Sequence, residues 1–397
     1  MHYIGIDIAK SEHMLGVIDE AGQNTVAPFK VKNTLKGLEE MLGCLDKAGV
    51  TPEDAMIGME ATGHYWLVIY EFLTDQGFEV SVINPIQTNA FRDVLSIRKT
   101  KTDAIDCIVI AELLRFGGFE PSSLAEEKMM ALKQHTRFRT ALVVEMTALK
   151  NKATAILDRI FPEYCTLFSE PYGAGSMAIL QRFPIPEEVL GTDIRTLTRV
   201  LAESSKNRFG RREAECLKEL AKTSVGVSLS SKALSFEVKQ IVERIAFTEG
   251  QIAALEDEIE ALLVQTKGKW LATIPGIGVV FASAIAAEVG DASRFENEHK
   301  LMAFAGMDPS KIQSGDFDGD KGKMSKRGSP HLRHALFLAA DSVRRWDPYF
   351  GDYYDKLRAK GKHHYVALSG VARKLCAVVL TLMKEDRAYE ASSPKRS

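Results

Sequence analysis

The first part of the chain alternates short apolar runs with amphipathic stretches. Residues 3–8 and 13–18 predict two strands, and the Gly22-Gln23-Asn24 turn leads to a third over 25–32. Helical spacing follows over 35–48, then a strand over 55–60, a helix over 66–76 and a strand over 80–84 closed by Pro85. Three strands in series followed by strand–helix alternation predict a mixed α/β sheet. That order suits an RNase H-like domain, although periodicity alone fits several other α/β folds.

Beyond about residue 125 the period becomes helical. Leu132, His135, Phe138, Leu142, Met146, Leu149, Ala153, Ile156 and Ile160 recur at intervals of three and four until Pro162. Val238, Ile241, Ile245, Thr248, Ile252, Leu255, Ile259 and Leu262 repeat the pattern as a heptad seam flanked by Glu and Lys. Such runs pack as an internal helical hairpin or pair with another subunit, and the pattern leaves both open. Residues 163–230 read as helices broken by turns at 171–175 and 184–186. Ile274-Pro275-Gly276-Ile277-Gly278, ahead of the apolar run 279–289, has the form of a helix–hairpin–helix turn, where glycines admit a phosphate. A plain αα-corner has the same signature. The pattern divides the chain into an α/β part (1–125), a coiled-coil part (126–266) and a mainly helical part (267–390).

Composition is that of an ordinary globular protein, with 45% hydrophobic and 26% charged residues. No run of about 20 uncharged apolar residues predicts a membrane span, and the first residues read as a strand, not a secretory leader. Cys44, Cys107, Cys165, Cys216 and Cys376 are scattered, which points to a reducing cytosol and away from zinc or disulfides. The net charge of -2 conceals an uneven distribution. Residues 321–374 hold 13 Lys/Arg against 4 acids, a local +9, whereas 232–266 hold 3 against 7. The basic stretch is of the kind that phosphate binding needs.

Four carboxylates stand out. Asp7 lies within an apolar strand, where an unpaired buried charge costs several kcal/mol. Glu60 ends another strand, and Asp103 and Asp106 share one helix face behind the N-cap candidate Thr102. Carboxylates converging from two strand ends and a helix form an oxygen donor set for hard divalent ions, which can clamp a phosphoryl transfer. Arg98, Lys99 and Lys101 beside them suit a nucleic acid backbone. Downstream, Gly306 to Gly315 and Gly322 to Pro330 are turn-rich and cationic, leading into a helix over 331–343. Ser310, Ser314, Ser325 and Ser329 are all candidate nucleophiles there; chemistry alone does not choose among them.

With these motifs the chain resembles the DEDD transposases of insertion-sequence family 110, relatives of the Piv-type DNA invertases and of the bridge-RNA-guided recombinases. The resemblance rests on Tyr3-Ile4-Gly5-Ile6-Asp7, Glu60-Ala61-Thr62-Gly63, Val82-Ile83-Asn84-Pro85 and Lys101-Thr102-Asp103-Ala104-Ile105-Asp106. Ile274-Pro275-Gly276-Ile277-Gly278, Phe304-Ala305-Gly306, Ser314-Gly315 and Met324-Ser325-Lys326-Arg327-Gly328 extend it to the C-terminal part. It covers roughly 1–160 and 265–385, and nothing is carried over for 163–235.

The resemblance implies a RuvC-like N-terminal domain whose Asp7, Glu60, Asp103 and Asp106 bind Mg²⁺, or Mn²⁺. It implies Ser314 as the nucleophile of a C-terminal serine domain and a phosphoserine–DNA intermediate, and in such a mechanism Lys323, Lys326, Arg327 and Arg333 of the cationic stretch are expected to neutralise phosphate charge. Donor and target DNA, a non-coding guide RNA and a homodimer or homotetramer are the implied partners, in the bacterial cytosol. The rivals are a RuvC-like nuclease in which water attacks, a site-specific invertase, and a non-catalytic binder, which leaves Asp7 unexplained.

Overall fold

Burial of three consecutive residues, Ile4, Gly5 and Ile6, makes β1 (His2–Asp7) a central strand covered on both faces: Ile4 and Ile6 point into one core while Tyr3, Gly5 and Asp7 face the other side. The computed structural model describes residues 1–61, 63–95, 102–119, 127–308, 313–314, 317–318 and 324–391. The chain divides into two units, Met1–Leu124 and Ala125–Ser397.

In the first unit β2 (Glu12–Ile18), β3 (Asn24–Lys32), α1 (Leu35–Lys47), β4 (Ala55–Glu60), α2 (Trp66–Asp75), β5 (Glu79–Ile83), α3 (Pro85–Leu95) and α4 (Asp103–Phe116) follow β1. The sheet order is β3-β2-β1-β4-β5, antiparallel among the first three strands and parallel across β1-β4-β5. This is the RNase H-like mixed sheet that the strand sequence predicts. Leu38, Met41 and Leu45 of α1 and Ile69 and Leu73 of α2 close one face over Ile4, Ile6, Leu15, Ile57 and Met59.

The opposite face carries a row of small residues. Gly16, Gly5, Gly58 and Ser81 stand in register on β2, β1, β4 and β5. A β-carbon on Gly5 would lie 1.8 Å from the Cys107 carbonyl oxygen, and one on Gly58 would lie 2.8 Å from Leu114. Helix α4 therefore rests in a trough of missing side chains, with its backbone against β1.

Among the described residues the regular structure of the second unit is helical apart from one antiparallel strand pair. Its elements are α5 (Glu127–Ile160), α6 (Ala174–Leu180), α7 (Pro186–Gly191), α8 (Ile194–Ser204), α9 (Arg211–Thr223), α10 (Ser231–Leu263), α11 (Val279–Val289) and α12 (Glu298–Phe304). Then come β6 (Gln313–Ser314), β7 (Phe317–Asp318), α13 (Pro330–Trp346), α14 (Pro348–Ala359) and α15 (His364–Glu385).

The heptad seam of α10 is buried against α5 of the same chain, from Val238 to Ile259, which selects the internal hairpin. Arg139–Glu256, Lys150–Glu249 and Lys152–Glu237 ion pairs join the two helices. Two positions depart from the predicted stripe. Phe138 is 52% exposed, with Thr136 buried instead, and Leu263 takes the inward place expected of Leu262. A strict 3.5-residue repeat drifts around a 3.6-residue helix, so the ends of a long seam slip by one position.

Residues 149–245 enclose a core of their own around Phe161, Tyr164, Leu197 and Leu217. Residues from 252 onward, with Met129, Leu132 and Leu142, form another. Helix α15 is long and apolar enough by composition to cross a membrane, yet Val371, Leu375 and Val379 lie at the centre of this second core. The Ile274–Gly278 turn follows a 3₁₀ segment, Lys267–Thr273, and leads into α11 with Gly276 at φ +90°. It is a tight entry to one helix and has no full helix before it.

Candidate metal centre and serine loop

The parallel register pairs Ile6 with Met59, so Asp7 and Glu60 are the next residues on adjacent strand ends. Alternation puts both on the face that α4 crosses, since Gly5 and Gly58 lie two residues earlier against that helix. Thr102 caps α4 by accepting from the Ile105 N–H at 3.3 Å, as its place before the acidic pair predicts. Asp103 is exposed in the first turn, whereas Asp106 is buried.

Asp7 of the sheet and Asp106 of α4 both lie close enough to Cys107 for their charges to act on it. Burial pushes its thiol up to about 12, and the nearby charges of Asp7 and Asp106 add to the rise. Asp106 is also paired: Arg92 Nη2 of α3 stands 2.9 Å from its Oδ1. The donor direction misses that oxygen, which is buried without a hydrogen bond. Glu60 is oriented by Thr88, a fully buried residue of α3 whose hydroxyl donates to Oε2 at 3.0 Å. Among the described residues no three acidic, His or Cys side chains stand close enough to share a metal ion. Fold and register thus bring Asp7 and Glu60 side by side with Asp106 nearby, but they do not draw the four acids into a coordination sphere. Arg92 and Thr88 escaped the sequence reading, because their roles depend on α3 folding back over the strand ends.

The second centre is a loop closed at its base by backbone hydrogen bonds. The Ser325 N–H donates to the Asp308 carbonyl at 2.9 Å, Lys326 to Gly306 at 3.0 Å and Ser329 to Phe304 at 2.8 Å. Gly306, at φ +65°, and Gly328 permit this closeness; a β-carbon on Gly328 would meet the Phe304 oxygen at 2.2 Å. Beyond the base, β6 and β7 pair antiparallel, with Ser314 opposite Phe317.

Two of the four candidate serines have structural duties. Ser325 Oγ donates to Asp308 Oδ1. Ser329 Oγ accepts from the Leu332 N–H, capping α13, and donates to Glu288 Oε2. Ser310 lies outside the described residues, as do Arg98, Lys99, Lys101 and Lys323. Lys326 and Arg327 are exposed. Arg333 is half-buried and its Nη1 donates to the Ala305 carbonyl at 2.9 Å. It braces the loop base. Glu288 was also missed, and the sequence held a signal for it: a lone acid inside the otherwise apolar run 279–289.

Residues 4–162 match a family model described as a transposase, of the DEDD type of IS110. Residues 268–355 match a second, described as transposase of the IS116/IS110/IS902 family. The chain is 24% identical over 397 residues to the insertion element IS110 uncharacterized 43.6 kDa protein of Streptomyces coelicolor, covering 99% of this chain and 96% of that protein. It is 24% identical over 403 residues to the pilin gene-inverting protein of Moraxella bovis, covering 98% and 97%. Among solved structures, RuvC of T. thermophilus in complex with a Holliday junction substrate matches 31% of this chain and 99% of that one, at 15% identity and a TM-score of 0.23.

Proposed function

This chain belongs to the IS110 family of transposases, and on that premise we propose that it breaks and rejoins DNA through a phosphoserine intermediate. In this reading Ser314 is the nucleophile, and Asp7, Glu60, Asp103 and Asp106 hold Mg²⁺ or Mn²⁺. The observation that carries it is the placing of Asp7 and Glu60 at adjacent strand ends, on the face where α4 brings Asp106.

An all-oxygen donor set suits a hard divalent ion, and the buried Asp106 Oδ1 without a hydrogen bond offers it a lone pair. Such an ion, when bound, stabilises charge on the scissile phosphate and favours ionisation of an attacking hydroxyl. The chain's own residues supply the rest. Strands β1 and β4 fix the spacing of Asp7 and Glu60, Thr88 orients Glu60, and Arg92 compensates Asp106 until an ion arrives.

Ser314 Oγ forms a bond to phosphorus as the bond to the leaving sugar oxygen breaks. The serine proton passes to solvent, and the leaving oxygen takes one up. A sugar hydroxyl of another strand then attacks the phosphoserine, restoring the serine and joining the strands. Lys326 and Arg327, exposed at the loop base, counter phosphate charge, joined by Arg98, Lys99, Lys101, Lys323 and Arg333. The partners in this reading are donor and target DNA and a non-coding RNA of the same element. Residues 126–266 assemble a dimer or tetramer in the bacterial cytosol, and 267–390 carry the serine.

Ser314→Ala should abolish protein–DNA adducts on a denaturing gel while DNA affinity changes by less than about threefold. Wild-type recombination by this variant would refute the nucleophile, and metal-dependent cleavage surviving Asp7→Asn would refute the metal centre. Cleavage without any adduct in the unaltered protein would favour a nuclease that uses water. The likeness to the pilin gene-inverting protein favours a second reading, inversion of a DNA segment by the same chemistry. Substrates bearing inverted sites, tested beside element ends, separate the two.

A further inference from the structure

We infer that Glu288 is a positioning residue for the serine loop and that it ties the foot of that loop to the long helix α5. Its side chain is 3% exposed in a helix otherwise made of apolar and small residues. Oε1 accepts from Arg137 Nε at 2.6 Å; Oε2 accepts from Arg137 Nη2 at 3.1 Å and from Ser329 Oγ at 2.8 Å. Arg137 belongs to α5, and Ser329 ends the loop base and caps α13. One carboxylate therefore joins α5, α11 and the segment that closes the serine loop and caps α13.

Burial by itself would raise the Glu288 carboxyl. The Arg137 fork, the nearby Lys133 ammonium and the Ser329 hydroxyl outweigh it and hold the group below the usual carboxylate range. The carboxylate is thus charged at neutral pH, at a place where an apolar side chain would pack. Buried ion pairs can often be replaced by apolar residues without loss of stability, so the role assigned to this one is to fix a geometry. Here the fixed part is the end of the segment bearing Ser314. The Ser329 N–H holds Phe304 across the loop base, and its hydroxyl fixes that base to α11.

The inference rests on the reading that a hydroxyl of this loop attacks DNA, and the Ser329 hydroxyl isolates the contact. Ser329→Thr keeps both the cap and the donor. Ser329→Gly caps nearly as well but has no donor, and Ser329→Asp caps well and sets a carboxylate against Glu288. Single-turnover covalent capture of DNA should stay within about twofold for Thr and fall about 10²-fold for Gly and Asp, as expected when a reacting group is displaced by about 1 Å. Melting temperature and DNA affinity should stay near those of the unaltered protein for Thr and Gly. Adding Glu288→Gln to Ser329→Asp, so that an amide can donate to the new carboxylate, should recover part of the loss. Capture at the unaltered rate by Ser329→Gly or by Ser329→Asp would show that capping alone matters and overturn the inference. Gly keeps the test open should Asp fail to fold. Ser314→Ala, run in parallel, reports separately on the nucleophile, since the Ser329 series reads the loop whichever of its hydroxyls attacks.

Discussion

Replacing Gly5 with alanine tests how the carboxylates are positioned without touching any of them. The added β-carbon would stand 1.8 Å from the Cys107 oxygen, 2.6 Å from the Ala111 nitrogen and 2.9 Å from the Cys107 carbonyl carbon. All three are backbone atoms of α4, so no side-chain rotation relieves the clash. Reaching an ordinary contact of 3.4 Å requires α4 and β1 to part by about 1.6 Å. Overpacking of this kind costs about 1–3 kcal/mol or more, equivalent to a melting temperature lower by roughly 4–12 °C for a unit of this size. The chemical cost should be larger. Asp106 moves with α4 while Asp7 and Glu60 stay with the sheet, and a 1 Å misplacement can cost about 10²-fold in rate. For Gly58→Ala the nearest atoms belong to the Leu114 and Ile110 side chains, at 2.8 Å and beyond, and the change should be milder. Gly43→Ala, in α1 with nothing within 4 Å, should be neutral or stabilising. Thermal melts and metal-dependent DNA cleavage of the three variants form the assay. A Gly5→Ala protein that melts with the parent and cleaves at its rate would refute the trough as a positioning device.

Arg92→Gln removes the cation beside Asp106 and so the competitor for that carboxylate. A gain of about 1.4 kcal/mol, modest for breaking a buried pair, lowers the half-saturating Mg²⁺ about tenfold in a cleavage titration; a higher Mg²⁺ requirement would contradict this role. Glu288 should leave a signature in acid. Its folded-state carboxyl titrates below the ordinary 4.5, despite burial, through Arg137, Lys133 and Ser329. Its contribution to stability is therefore complete above the unfolded value and is lost as pH falls through the folded one. Thermal melts from neutral pH down to pH 3 should decline less steeply on the acid side for Glu288→Gln than for the parent; parallel curves would count against the ion pair.

What could be read from the sequence was whatever depends on local period. The five strands of the sheet and the helices α1, α2 and α13 follow from it to within a few residues, and α5 and α10 follow along their buried seams though both begin earlier, because one buried face imposes a period of two or of about 3.6. Asp7 stood out as a candidate because an acid inside an apolar run is costly unless it has a task, Glu60 by its place at a strand end and Asp106 by sharing a helix face with Asp103. Contacts between distant segments were not legible. Arg137 and Glu288 lie 151 residues apart, and no local pattern marks them as partners. The row Gly16-Gly5-Gly58 is visible only once strand register is known.

The two centres share a physical device, which bears on which substitutions will silence them. At the sheet, missing side chains bring the α4 backbone down onto β1; at the serine loop, Gly306 and Gly328 bring two backbone segments together. Backbone contact sets position more firmly than side-chain packing, because it has no rotamers to relax into. A buried polar side chain then fixes the remaining freedom: Thr88 with Glu60 at one centre, Glu288 with Ser329 at the other. The hydroxyls and carboxylates proposed to meet DNA would thus be held by groups that never touch it. Losses of activity should therefore extend to these supporting residues, and by the misplacement argument they can match the loss from removing a reacting group.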